Sequence, residues 1–164
     1  MKAEYINPFI TSTMSVFETM LNYELTRGVP FVKTNRRADY EITEMIGLSG
    51  RASGMVAVSL SEEMTIIEAT AALLGDTPPE VNADEVDAVS EIANMIAGGA
   101  KAQLETYKMH SSLPTVITGK WHTIGFPSSS TSITIPFDSD WGPLVVDVAV
   151  VAESQSAQRT SVGA

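Results

Sequence analysis

The stretch from Asp84 to Tyr107 is the feature that most restricts how this chain can fold. It contains no proline, and prolines and glycines punctuate both flanks. At about 100° per residue its apolar side chains fall on one broad side, which predicts an amphipathic helix packed against a sheet. These apolar residues are Val86, Val89, Ile92, Ala93, Ile96, Ala97, Ala100, Leu104 and Tyr107. Asn82 or Asp84 can cap the start of this helix.

The polar side of the predicted helix is unusual for a surface that only faces solvent. It contains an asparagine and an interior glycine pair, and each glycine costs about 1 kcal/mol relative to alanine. Its residues are Asp87, Glu91, Asn94, Gly98, Lys101 and Glu105.

Glu91 and Asn94 are three residues apart, so their side chains project from neighbouring turns toward one region. A carboxylate can bind a cation or accept a proton, and an amide can hold a water by donating and accepting at once. Gly98, one turn further on, leaves room for the backbone of another molecule. The spacing alone also fits an ordinary solvated helix face.

Composition excludes several classes of protein. The length of 164 residues fits one domain with a substantial core. A formal net charge of −10 argues against a nucleic-acid or anionic-membrane partner, because both require a basic surface. The absence of cysteine excludes disulfides and thiolate sites, and His110 and His122 lack metal-ligand spacing. With no leader and no long apolar run, we expect a cytoplasmic protein.

A second amphipathic helix is predicted near the N-terminus, from about Asn7 to Leu25. Asn7 fits its cap and Pro8 fits its first turn. Glu4 and Asn7 have the same Glu-x-x-Asn spacing as Glu91 and Asn94. However, a residue before proline is biased away from the α conformation, so we expect both to lie outside the helix. Their spacing is therefore interpreted as coincidence.

Six segments rich in β-forming residues predict strands, three after each long helix. They are 31–36, 41–49, 52–60, 115–124, 132–137 and 144–152. A helix from Glu62 to Leu74, capped by Ser61, and a connector with Pro78-Pro79 separate the two sets. This order indicates a weak internal duplication. It predicts an α+β domain over 1–152, a pseudo-two-fold repeat with about six strands in one sheet and two long helices on one face. Residues 153–164 are expected to be a disordered tail.

Several stretches, in matching order, resemble the CheC/CheX family of chemotaxis phosphatases, and its CheX branch in particular. They are YINPFITSTMSVFETML, IGLSGRASGMVAVSLSEEM, DAVSEIANMIAGGAKAQL and SLPTVITGK. The family pattern is Asp or Ser, three residues, Glu, two residues, Asn, and a Pro about twenty residues later. Asp87, Glu91, Asn94 and Pro114 match it in order. Gly99 stands where CheX sequences commonly have Asn, and the connection to the next strand is about two residues shorter than usual.

The resemblance implies hydrolysis of the phosphoryl-aspartate of a response-regulator receiver domain of the CheY type. By resemblance, Asn94 holds the attacking water and Glu91 pairs with the receiver lysine. Asp87 and Gly98 are expected at the contact with the partner, although Asp87 equally fits a plain capping or surface role. No metal or cofactor is expected on this chain, because the receiver supplies Mg²⁺.

The resemblance further implies a homodimer. Because CheC has two active motifs and CheX one, it agrees with the interpretation of Glu4 and Asn7 as coincidence. A non-catalytic binding or adaptor module of the same fold, acting in a two-component signalling pathway, is the alternative function. The intact Glu91/Asn94 pair favours the phosphatase, since an adaptor has no need of an amide that holds water.

Overall fold

The computed structural model describes residues 2–69 and 82–152. The Pro78-Pro79 connector, the end of the predicted Glu62–Leu74 helix and the expected tail at 153–164 lie outside the described residues. The helices are α1 (Ala3–Leu21), α2 (Glu62–Ala69) and α3 (Ala83–Gln103), and a 3-10 turn spans Glu105–Tyr107. The strands are β1 (Thr26–Arg27), β2 (Phe31–Val32), β3 (Ile42–Ser49), β4 (Ala52–Leu60), β5 (His110–Ser111), β6 (Thr115–Thr118), β7 (Ile133–Ser139) and β8 (Gly142–Ala152).

All eight strands form one antiparallel sheet in the order β1-β7-β8-β4-β3-β5, with β2 also on β7 and β6 also on β3. The six expected strands are present, which confirms the α+β class. The sequence missed β1 and β5, because a pairing of two residues has no periodicity to detect. The expected strands 31–36 and 115–124 were too long. After Val32, and again after Thr118, the chain leaves the edge of the sheet. Arg37 and Thr123 of these two segments then pair with each other in an isolated antiparallel bridge.

The two halves of the repeat exchange their edge strands. β1 and β2, which follow α1, pair with β7 from the second half. β5 and β6, which follow α3, pair with β3 from the first half. The long central strands β4 and β8 then join the halves over nine paired positions. The predicted pseudo-two-fold repeat is therefore present as an interlocked pair.

The two long helices lie on one face of the sheet and bury one main core between them and the strands. Large side chains at its centre include Phe9 and Phe17 of α1, Ile96 of α3, and Phe137 and Leu144 of the sheet. The other face is covered in part by the segments that follow β2 and β6. Ala38 and Ile124 pack there on Ala57. Of the predicted helix after β4, Met64 is fully buried and Ser61 caps the helix through the Met64 amide, as expected.

The predicted bounds of the first helix were wrong. α1 begins at Ala3 rather than Asn7 and ends at Leu21, where Asn22 adopts a left-handed conformation. Asn7 is therefore not a cap, and Pro8 is the sixth residue of the helix. Apolar packing outweighs the local bias before proline, since the helix buries Tyr5 and Ile6 as well as Phe9. Glu4 and Asn7 consequently lie on the helix and not outside it.

Candidate functional site

Helix α3 is fixed at its N-terminus by a complete capping box. The Asn82 side-chain oxygen accepts a hydrogen bond from the backbone amide of Asp84 at 2.8 Å. In return, the backbone amide of Asn82 donates to the buried Glu85 carboxylate at 2.8 Å. Asn82, one of the two candidate caps, is thus the cap. The helix ends at Gln103 instead of continuing to Tyr107, because Leu104 leaves the α conformation and the 3-10 turn follows it. A helix held this way is a rigid support for the side chains on its outer face.

The polar side of α3 faces outward as predicted. Asp87 and Glu91 are exposed, and Asn94 is half-buried one turn further on. Within residues 2–69 and 82–152, neither the Glu91 carboxylate nor the Asn94 amide forms a hydrogen bond or an ion pair. Both groups are thus unpaired within this part of the chain, which is the property that the catalytic prediction requires.

Gly98 and Gly99 have different structural roles. A Cβ atom at Gly98 would meet no atom of the described residues within 4 Å, so its outer face is open on their side. A Cβ atom at Gly99 would lie 2.3 Å from Ser12 Oγ. Ser12 donates a hydrogen bond of 2.7 Å to the Ile96 carbonyl, and this bond requires the close approach of α1 that Gly99 permits. Gly98 is thus free to contact a partner, whereas Gly99 serves the packing of the two helices.

A buried acid, missed by the sequence analysis, lies directly under the site. Glu44 of β3 is fully buried below α3, with Oε1 2.9 Å from Ser90 Oγ, one residue before Glu91. Burial raises the pKa of Glu44 to about 7, partly opposed by the Ser90 hydroxyl. Ser90 Oγ is also 2.9 Å from the Val86 carbonyl, and one hydroxyl proton cannot serve both acceptors. A protonated Glu44 resolves this conflict by donating to Ser90. A lone acid inside the apolar run ITEMIGL was the available signal.

Strand register places Pro114, the proline of the family pattern, near the position of β3 that contacts α3 through Ser90. Glu44 contacts the helix through Ser90 and pairs sideways with Val116 of β6. Pro114 lies two residues before Val116 and immediately before β6, at the edge of the sheet. Leu113, just before it, is 88% exposed. This edge of the sheet thus presents a prominent apolar side chain to solvent.

Two kinds of feature are absent from the residues that the structure describes. There, no three His, Cys, Asp or Glu side chains cluster closely enough to hold a metal ion. No helix among them is both long and apolar enough to cross a bilayer.

Known proteins similar to this chain include both sequence relatives and solved structures. A CheY-P phosphatase CheX from Thermotoga maritima is 25% identical over 122 residues, which is 73% of this chain and 79% of the relative. A chemotaxis protein CheX from Desulfovibrio desulfuricans is 33% identical, with a TM-score of 0.80 over 92% of this chain and 99% of that one.

A complex from Borrelia burgdorferi contains CheX with CheY, BeF3 and Mg²⁺. Its matching chain shares the fold, with a TM-score of 0.73 at 24% identity over 89% of this chain and 97% of that one. The family described as chemotaxis phosphatase CheX matches residues 42–138, more than half of the chain. This segment includes β3, β4 and the whole of α3. The chain therefore belongs to the chemotaxis phosphatase CheX family.

Proposed function

We propose that this protein is a phosphatase that hydrolyses the phosphoryl-aspartate of a CheY-type receiver domain, using Glu91 and Asn94 of α3. The strongest support for this proposal is the placement of the Glu91 and Asn94 side chains. Both side chains project from adjacent turns of a capped helix, and neither has a partner among the described residues. Family membership supports the same reaction, and so does the CheY-bound relative of the same fold.

The proposed mechanism assigns one task to each side chain. The water oxygen attacks phosphorus, the bond from phosphorus to the aspartate oxygen breaks, and inorganic phosphate and a free carboxylate are the products. Such transfers depend mainly on positioning and charge stabilisation. The Asn94 amide accepts a hydrogen bond from the water and holds it in line with the leaving oxygen. The Glu91 carboxylate pairs with a lysine of the receiver and fixes the register of docking. Mg²⁺ arrives with the receiver as part of the substrate.

Asp87 and Gly98 complete the proposed contact surface. Asp87 lies one turn before Glu91 and is exposed, so it reaches the rim of a docked receiver. The open space over Gly98 lets a partner backbone come close to the helix axis. A homodimer and a single domain spanning 1–152 also belong to the proposal. The dimer is supported by family resemblance alone, and sedimentation velocity tests it.

Isosteric variants test the two roles separately. The wild-type protein is incubated with phosphorylated candidate receivers while phosphate release is followed. On the receiver it acts on, Asn94→Asp should lower the single-turnover rate by about 10² or more, because it replaces the amide with a charge that repels the phosphoryl group. Glu91→Gln should mainly weaken binding of the receiver loaded with BeF3 and Mg²⁺, because the ion pair with lysine is lost.

The adaptor alternative makes the opposite prediction in the same assays. An adaptor binds the loaded receiver but does not accelerate phosphate release, and Asn94→Asp then changes nothing in turnover. Glu18→Gln, an exposed change on the other long helix, α1, is the matched control and should behave as wild type in both assays. Wild-type and Asn94→Asp proteins with equal rates would remove the catalytic assignment.

A further inference from the structure

We propose that the face of the sheet opposite α1 and α3 binds a nucleoside phosphate, with guanine as the favoured base. Two cavities lie on this face, one of about 380 Å³ and one of about 210 Å³, and they meet at Asn35. The larger one alone is in the size range of small-molecule sites. The described residues that line the two cavities belong to neither α1 nor α3, so this inference does not depend on the proposed function.

The segments that cross this face after β2 and after β6 form both cavities. Two backbone hydrogen bonds join these segments. The Ala38 amide donates to the His122 carbonyl at 3.0 Å, and the Ile124 amide donates to the Arg36 carbonyl at 2.6 Å. Ala38 and Ile124 are also buried against the sheet. The cavities therefore lie in a packed frame and need no large rearrangement to accept a ligand.

The larger cavity has a flat wall made of Trp121 and Arg37. The guanidinium carbon of Arg37 lies 3.6 Å from the centre of the Trp121 ring. Trp121 is nevertheless 74% exposed, so much of the largest side chain type in the protein faces solvent. Nucleobases stack on indole rings and on guanidinium planes, because both offer a flat, polarisable surface. This wall is thus suited to a planar base.

The backbone holds Trp121 in this exposed position at a cost in energy. Its φ of 69° lies in the left-handed region, which bulky residues rarely adopt. The His122 ring fixes the turn, with Nδ1 2.7 Å from the Gly119 carbonyl and Nε2 2.8 Å from the hydroxyl of the buried Thr43. Strain of this kind clusters at sites that bind ligands. It therefore points to a ring that is displayed for a second molecule.

The smaller cavity is suited to a phosphate group. Two cations line it, Lys33 and Arg36, and among the described residues no acidic side chain does, although the chain has a net charge of −10. Lys33 Nζ lies 2.5 Å from Asp39 and 3.2 Å from Asp147, whereas Arg36 forms no ion pair in the described part of the chain. Hydroxyl groups complete the lining, from Thr34, Ser128, Ser130, Thr131 and Ser132. Guanidinium and hydroxyl groups are common donors to phosphate oxygens.

The order of residues along the first segment fits one extended ligand. Arg36 lines the smaller cavity, Arg37 lines the larger one, and Asn35 lines both. A base on the Trp121 wall can therefore continue past Asn35, through its sugar, to a phosphate beside Arg36. A polynucleotide is disfavoured, because its long phosphate backbone requires a wide basic surface that this acidic chain lacks.

The acidic side chains of the larger cavity favour guanine. Asp39 and Glu41 both line it, together with Lys120. Asp39 is paired with Lys33, whereas Glu41 forms no ion pair within the described residues. A carboxylate can accept two parallel hydrogen bonds from the N1–H and the amino group of guanine. Adenine has only its amino group as a donor on that edge, so it makes one such bond.

Calorimetric titration with GMP tests the base contact. Wild type should bind GMP saturably, and AMP several-fold more weakly. Trp121→Gly removes the ring and is compatible with a positive φ, so it should melt cooperatively and yet lower the affinity for GMP by about tenfold or more. Trp141→Phe changes the other tryptophan, which packs on Tyr23, and is the matched control with wild-type affinity. In that control, GMP should also change the fluorescence of Trp121, the remaining tryptophan.

Arg36→Gln tests the phosphate contact separately. It should weaken GMP several-fold and leave the weaker binding of guanosine unchanged, because guanosine has no phosphate. Arg51→Gln, at the exposed turn between β3 and β4, makes the same change of charge and should alter neither affinity.

Each contrary result has a defined meaning. The absence of both heat and a fluorescence change at millimolar GMP overturns the site. Binding of GMP that survives Trp121→Gly overturns its location, and equal affinities for GMP and AMP overturn the choice of guanine. An equal loss of affinity in Arg36→Gln and Arg51→Gln overturns the phosphate contact. None of these outcomes affects the proposed phosphatase, which the phosphate-release assay tests with the receiver.

Discussion

At the scale of single residues, the adjacent glycines of α3 separate contact with a partner from packing within the chain. Gly98→Ala should raise the free energy of unfolding by about 1 kcal/mol, because alanine favours the helix and its methyl group meets open space. The same methyl group should weaken receiver binding if a partner backbone approaches there. Both effects are measurable on one variant, by urea denaturation and by titration with the loaded receiver.

Gly99→Ala is the matched comparison one residue further along. Its Cβ would overlap Ser12 Oγ, so Ser12 must turn away and lose its hydrogen bond to Ile96. We expect this variant to be less stable than Gly98→Ala by about 1–2 kcal/mol. In a Ser12→Ala background the difference in stability between the Gly98→Ala and Gly99→Ala variants should become smaller. Equal stabilities for the two alanine variants would contradict the assignment of Gly99 to helix packing.

The buried Glu44 predicts a pH dependence of stability. Its pKa rises from the ordinary 4.5 to about 7 on folding, so between these values the folded protein holds a proton that the unfolded chain has released. This contribution to stability is fully present below pH 4.5 and is lost as the pH rises through 7. Glu44→Gln stays neutral throughout. It should be more stable than wild type at pH 8 by about 3 kcal/mol and similar to it at pH 4.

Urea denaturation of both proteins from pH 4 to pH 8 measures this difference. The stability difference between them should change mainly between pH 5 and pH 7, because the other carboxylates are common to both and cancel. A constant difference across that range would mean that folding does not raise the pKa of Glu44.

At the scale of elements, α3 depends on its capping box for the position of the Glu91/Asn94 pair. Asn82→Ala removes the acceptor for the Asp84 amide and should lower the free energy of unfolding by about 1 kcal/mol. Asn82→Asp keeps an acceptor oxygen and favours the positive end of the helix dipole, so it should remain close to wild type. Thermal denaturation of the two Asn82 variants measures these changes in stability. Equal losses of stability for both variants would show that the hydrogen bond from the Asp84 amide contributes nothing.

The elements differ in how far the sequence alone determined them. α3 was predicted to within a few residues, because its apolar periodicity, cap and flanking breakers all agree. The outward face with Glu91 and Asn94 followed from the same periodicity. α1 was placed four residues too late, because a local bias at Asn7 was weighed above the burial of Tyr5 and Ile6, which only tertiary packing decides. Glu44 and the role of Gly99 were not predicted, since the first depends on which helix covers β3 and the second on where α1 crosses α3.

At the scale of the whole molecule, the exchanged edge strands make each half depend on the other. β7 is paired on one side by β1 and β2, which belong to the first half, and β3 is paired by β5 and β6 of the second. The core between the helices likewise draws on α1 and α3 together. A duplicated domain of this kind therefore differs from two domains in series, because no half has a complete sheet or core of its own.

Separated halves test this interdependence. We expect chains 1–69 and 82–164, expressed alone, to give poorly dispersed amide NMR spectra and no cooperative melting, because each lacks the partner of β4 or β8 and half of the core. Mixing the two should restore dispersion and a sigmoidal transition, since the strand pairings between them are the long ones. Each half alone, at the total protein concentration of the mixture, serves as the control and should stay unfolded. A half that folds alone would mean that the exchange of edge strands joins two independent units.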